Sequence, residues 1–238
     1  MSLYVYCLGD GLTEAALAGV RGLNDEPARL FGHAGLVAVV SPFGEAPVPV
    51  TRAHLLAHNR VNAQALASAT PLPFRFGTLT TEERLASYMG ARAAGLRAAL
   101  ARVRDCVEMS VKLMRETTAE APAAPPADAG TAPAGTAFLL AKRRELLGEE
   151  RERRRAEELA AWLERRTSDL ARESEVRVCP SESIVVRAAH LVVRARLADY
   201  RERLRALRAE RPDLRFLNSG PWPPYSFADA DVTASGCE

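Results

Sequence analysis

Arg29-Leu30-Phe31-Gly32-His33-Ala34-Gly35-Leu36-Val37-Ala38-Val39-Val40 reads as two β-strands in direct succession, Arg29 to His33 and Leu36 to Val40. Gly35 supplies the connection, and both runs are rich in β-forming residues. Upstream, Leu3 to Leu8 reads as a buried strand. Gly9-Asp10-Gly11 follows as a turn and Thr13 to Val20 as a short helix. Downstream, Pro42, Gly44, Pro47 and Pro49 force a loop. Thr51 is placed to cap a helix over Arg52 to Ser68. Leu72 to Phe76 is a short extended piece. Thr81 caps a further helix with Glu82 and Glu83 in its first turn, where negative charge suits the helix dipole. Leu85, Met89, Leu96, Leu100 and Val103 form one apolar stripe and carry that helix to about Arg104. Cys106 to Met114 alternates as a strand. The order strand, helix, strand, strand, helices, strand predicts an α+β fold on a ferredoxin-like plan with an inserted helix.

Ala119 to Gly135 has four prolines and no large apolar residue, so it cannot bury a core and reads as a linker. The expected organisation is a ferredoxin-like domain over 1–117, an Ala/Pro-rich linker over 118–136, and a smaller α+β domain over 137–238. The second domain opens with a long helical pattern from Ala137 to about Glu173. Its middle, Gly148 to Glu158, contains no large apolar residue, which predicts a helix pair or one long helix with a solvated waist. Glu175 to Val178 and Ser183 to Arg194 have strand content. Arg196 to Glu210 is an amphipathic helix with Leu197, Tyr200, Leu204 and Leu207 inward, and Leu214 to Leu217 is a last strand.

Near the end of the chain stands Asn218-Ser219-Gly220-Pro221-Trp222-Pro223-Pro224-Tyr225-Ser226-Phe227. Three prolines fix φ and remove donors, so this stretch should leave the strand as a stiff ribbon carrying three aromatic rings. Rings on a stiff backbone lose little entropy on packing, which suits a strap over the protein's own core or a docking edge for a partner. Trp222, Tyr225 and Phe227 are therefore candidate partner-binding residues. So are Arg75 and Phe76, because a guanidinium beside two phenylalanines can clamp a carboxylate or a backbone carbonyl.

Composition narrows the class. The chain has 238 residues, 47% of them apolar, with a formal net charge of +2. Acidic residues nearly balance the arginines, which argues against nucleic acid as the main partner. No apolar run is long enough to cross a bilayer, and no secretion signal is visible. Cys7, Cys106, Cys179 and Cys237 are scattered without a Cys-x-x-Cys pair, which fits a reduced, cytoplasmic protein.

No residues assemble a reaction centre. His54 and His58 share a helix face but lack a third metal ligand at useful spacing. Gly9-Asp10-Gly11 has neither dinucleotide nor Walker spacing. Glu108 and Lys112 lie two pleats apart on one strand face, which reads as a structural ion pair at a sheet surface. The expectation is no enzyme, no cofactor and no metal.

Three segments carry a family resemblance. Gly220-Pro221-Trp222-Pro223-Pro224-Tyr225-Ser226-Phe227, Pro71-Leu72-Pro73-Phe74-Arg75-Phe76-Gly77-Thr78 and the opening Leu3-Tyr4-Val5-Tyr6-Cys7-Leu8-Gly9 resemble, in order, the gas vesicle protein family GvpL/GvpF. Val107-Glu108-Met109-Ser110-Val111-Lys112 is a looser match, with Met109 where the family has Trp. The resemblance implies a non-enzymatic protein that takes part in building a gas-filled protein shell, as an assembly factor or minor structural component associated with gas vesicles. It implies the hydrophobic main shell protein as partner, with other accessory gas vesicle proteins beside it, and neither nucleic acid nor membrane. The alternative reading is a small-molecule-binding regulatory module with a cleft between two α+β domains.

Overall fold

The computed structural model describes residues 2–44, 47–115, 134–179 and 184–228. The fold is α+β, and its described residues fall into two compact units. The first takes in those of Met1–Met109, Leu191–Arg194 and Gly220–Glu238; the second, those of Ser110–His190 and Ala195–Ser219.

In the first unit, β1 (Ser2–Gly9) is buried along nearly its whole length. It lies between β3 (Leu36–Phe43) and the short strands β4 (Leu72–Pro73) and β5 (Leu79–Thr80), and β2 (Arg29–His33) forms the far edge beside β3. The sheet order is β2-β3-β1-β4, with β5 also on β1, and all pairings are antiparallel. The β2–β3 hairpin turns where expected, with Ala34 and Gly35 both in the left-handed region. A register shift between Val5 and Cys7 interrupts the β1–β3 ladder. Tyr4 and Tyr6 enter the core from this strand with ring centroids 4.8 Å apart.

Helix α1 (Arg52–Ser68) starts as expected, with the Thr51 hydroxyl accepting from the His54 N–H. It packs Ala57, Val61 and Ala65 onto the core formed by Tyr4, Tyr6, Cys7 and Val39. The predicted short helix is a 3-10 turn, Glu14–Leu17, capped by Thr13. The single helix expected as far as Arg104 is two, α2 (Glu82–Ala91) and α3 (Ala93–Val103), broken at Arg92. Gly90, a poor helix former, stands two residues before the break. The apolar stripe continues unbroken across it, so periodicity alone could not reveal the break.

Strand β6 (Cys106–Arg115), β7 (Ala171–Val178), β8 (Ile184–Val193) and β9 (Leu214–Trp222) form a second sheet in the order β7-β8-β6-β9. The long helical pattern is one helix, α4 (Ala134–Thr167), which ends earlier than its sequence suggests. Thr167 turns its hydroxyl back to the Leu163 carbonyl at 2.9 Å, and Arg203 caps the Arg166 carbonyl while gripping Asp169. Ala171 onward is strand. Helix α5 (Leu197–Glu210) buries Tyr200, Leu204 and Leu207, as its pattern predicts. Trp162 of α4 meets Phe216 of β9 edge to face at 6.3 Å.

Of the expected linker, residues 118–133 lie outside the described residues, and 134–136 open α4. The terminal ribbon groups with the first unit from Gly220 onward, whereas its sequence position placed it in the segment 137–238. Its hydrogen bonds to Glu108 and Arg102 supply the reason.

Candidate partner-binding surface

The ribbon does not leave its strand at the first proline. β9 continues through Pro221 to Trp222 as an edge strand, where a missing N–H costs no ladder bond, and the Gly220–Pro221 peptide is cis. Gly220 has φ +124 and lies against β6. A Cβ there would stand 2.8 Å from the Glu108 carbonyl oxygen and 2.8 Å from the Met109 sulfur. Only glycine permits both that backbone and that approach.

Beyond Trp222 the chain turns inward. Pro223 and Pro224 are buried, and Tyr225–Phe227 forms a 3-10 turn. Ser226 anchors it. Its N–H donates to Glu108 Oε2 at 2.7 Å and its hydroxyl donates to Glu108 Oε1 at 3.0 Å. Glu108 is buried, so these are charge-assisted bonds to a carboxylate largely withdrawn from water. Arg102 of α3 donates to the Phe227 carbonyl, and the Phe227 ring is 6% exposed.

Tyr225 joins a polar network inside the first unit. Asn62 Nδ2 donates to the Tyr225 hydroxyl at 3.1 Å and lies 3.0 Å from His58 Nε2. With that amide nitrogen facing Nε2, His58 carries its hydrogen on Nδ1 and donates to the Tyr4 hydroxyl at 2.9 Å. The Gly77 N–H donates to the same hydroxyl at 3.1 Å. Burial lowers the His58 pKa to about 4, so the ring is neutral at neutral pH. The same burial pushes the Tyr4 and Tyr225 hydroxyls up, beyond the ordinary phenol range.

The five candidate residues therefore separate. Trp222 is 43% exposed and Arg75 is exposed. Phe76 is half-buried, edge-on to His58 at 5.7 Å and to Tyr4 at 6.2 Å. Tyr225 is half-buried within the network. Phe227 is an internal anchor, as a strap over the core would need: its carbonyl accepts from Arg102 and the residue is buried.

Other candidates resolve into structural roles. His54 spans the Pro49 carbonyl and Asn24 Oδ1 at 2.9 and 3.0 Å. Among the described residues, no group of three or more His, Cys, Asp or Glu is placed to hold a metal ion. Glu108, expected at a sheet surface, is instead the buried anchor of the ribbon. Sequence reasoning missed this pair. A buried carboxylate must find donors, but Glu108 shares its strand face with Ser110 and Lys112, so nothing in the sequence signals its burial.

The chain is similar to known proteins along nearly its whole length. The family of the gas vesicle synthesis protein GvpL/GvpF matches residues 2–229. Gas vesicle protein L2 of Halobacterium salinarum is 29% identical over 94% of this chain and 90% of its own length. Gas vesicle protein L of a Streptomyces species is also 29% identical, over 94% of this chain and 92% of its own. The crystal structure of GvpF from an Anabaena species superposes with a TM-score of 0.78 at 19% identity, covering 97% of this chain and 99% of that one. GvpF from Microcystis aeruginosa gives 0.77 at 18%, covering 96% and 99%. The two solved structures share the α+β fold, and the family match extends from β1 through the terminal ribbon: the chain belongs to the GvpL/GvpF family of gas vesicle synthesis proteins.

Proposed function

We propose that this chain is a non-enzymatic gas vesicle assembly or minor structural protein that binds the hydrophobic main shell protein. The observation that carries the reading is the family match over residues 2–229. A shell subunit exposes apolar surface before it assembles, and a folded protein with exposed rings can cover that surface or nucleate growth. Trp222, Arg75 and the accessible edge of Phe76 are the contact residues in this reading. Tyr225 and Phe227 hold the ribbon that presents Trp222. The site of action is the cytoplasm, at gas vesicles, with other accessory gas vesicle proteins as further partners and neither nucleic acid nor membrane involved. No described helix is long and apolar enough to cross a bilayer.

The finer fold reading belongs to the same proposal. The antiparallel order β2-β3-β1-β4 supports a ferredoxin-like first domain, with a 3-10 turn in place of its first helix. A second α+β domain follows the segment 118–136.

Co-expression tests the function. The tagged chain should capture the main shell protein, and Trp222→Ala with Arg75→Ala should reduce capture while circular dichroism stays unchanged. Absence of capture by the folded intact chain would reject direct shell binding.

A further inference from the structure

The ribbon accounts for one exposed large apolar residue, Trp222, but not for a group on and just before α1. That helix is apolar on two faces. Ala57, Val61, Ala65 and Leu66 face the core. On the outside, Leu55 and Leu56 are 39% and 57% exposed, and Val50, just before the helix, is 78% exposed. Ala63 and Ala67 continue the exposed face toward the C-terminus. A helix packed on one face normally carries charged and polar residues on the other. Leucines left in water there mark a surface that another body covers.

The formal charges on the helix itself are all positive, although Asp25 lines a surface pocket with Ala53, His54 and Arg60. Arg52–Ser68 contains no Asp or Glu. Arg52 and Arg60 flank Leu56 at i−4 and i+4, so the three share one helical row. Neither arginine forms a hydrogen bond or ion pair among the described residues, in contrast to Arg29 with Glu82, Arg104 with Asp10 and Arg97 with the Ala34 carbonyl. Arg75, also without such a partner, neighbours Phe76, whose ring packs on His58 of α1. Aliphatic side chains interleaved with unpaired guanidiniums complement leucines interleaved with carboxylates.

We infer that the outer face of α1 docks an amphipathic helix of a partner protein, with its leucines on Leu55 and Leu56 and its acidic residues on Arg52 and Arg60. The face follows one helix for about 15 residues, or roughly 22 Å, the length of a four-turn partner. Ala63 and Ala67 are small enough for a second helix axis to approach closely. Only three large aliphatic side chains project and none is aromatic, which favours a helix groove over burial in a lipid surface. The inference stands apart from the ribbon reading: it uses neither Trp222 nor the shell protein.

The test is fluorescence anisotropy of the full chain with a labelled amphipathic peptide of about 18 residues, Leu on one face and Glu on the other. A second peptide has Lys in place of Glu, and a parallel titration uses phosphatidylglycerol vesicles. Saturable binding of the Glu peptide is expected, weakened at least about tenfold by Leu55→Ser with Leu56→Ser. Arg52→Glu with Arg60→Glu should transfer the preference to the Lys peptide. Circular dichroism confirms that each variant folds. Equal affinity for both peptides, no saturable binding, or indifference to the leucine replacements would overturn the inference. Leucine-dependent binding to vesicles without binding to the Glu peptide would also overturn it, in favour of an anionic lipid surface.

Discussion

The terminal ribbon and helix α1 each differ from what their sequences suggest. The ribbon is conspicuous for its prolines and aromatics, yet Phe227 is buried, Tyr225 is half-buried and Ser226 is bonded to a buried carboxylate. Helix α1 reads as an ordinary capped helix, yet it leaves Leu55 and Leu56 in water. The difference teaches that a conspicuous motif can mark a demanding internal fit. Gly220 must be glycine because β6 is close, and the prolines are tolerated because β9 is an edge. Exposure, which a docking face needs, depends on what packs where, and periodicity reports it only in part.

The largest test of this contrast is acid. His58 ties α1 to β1 and lies 6.1 Å from the Tyr225 ring; His190, hydrogen-bonded to Tyr200, is its counterpart in the second unit. Burial lowers both imidazoles to about 4. The unfolded chain takes up these protons near the ordinary 6.5, while the folded protein resists them. Stability is therefore full above about pH 6.5, falls as pH drops toward 4 and levels off below, by roughly 3 kcal/mol for each histidine. Denaturant melts across this range should show the slope, and His58→Phe should remove about half of it. A slope unchanged in that variant would mean that His58 is not held neutral by the fold.

Next comes the inward face of α1 against its outward one. Leu66→Ala should cost about 3 kcal/mol in urea melts, as a buried leucine does. Leu56→Ala should change stability by no more than about 0.5 kcal/mol, as exposed positions do. Similar costs at both sites would break the distinction between the faces. Smaller again is the ribbon anchor. Glu108→Gln keeps the shape but removes the charge from two hydrogen bonds, and should cost about 2 kcal/mol. Thermal melts with hydrogen exchange at Ser226 would show the loss locally. Smallest is Trp222→Ala, expected to cost less than about 1 kcal/mol because the ring is partly in solvent. A large loss of stability there would turn Trp222 from a contact residue into a structural one.

Much of the fold was legible because its signals are local. The Thr51 and Thr81 caps, the Gly35 hairpin and the alternation of β6 all depend on neighbours within a few residues. The end of α4 was not legible, because Arg203 and Asp169 set it through a contact across 34 residues of chain. The Arg92 break was hidden by an apolar stripe that runs through it. At the site, the aromatic ribbon and the Arg75–Phe76 segment were visible from their residues. The Glu108–Ser226 pair, 118 residues apart, was not, and neither was the direction in which each ring points.

Hydroxyl-radical footprinting of the full chain, read by mass spectrometry residue by residue, tests the central contrast most directly. After correction for intrinsic reactivity, Leu55, Leu56 and Trp222 should be oxidised rapidly, and Phe227 as slowly as the fully buried Phe74. Phe227 labelled as fast as Trp222, with Leu55 and Leu56 protected, would contradict the account, because the whole ribbon and not Trp222 alone would then be exposed and the α1 leucines covered.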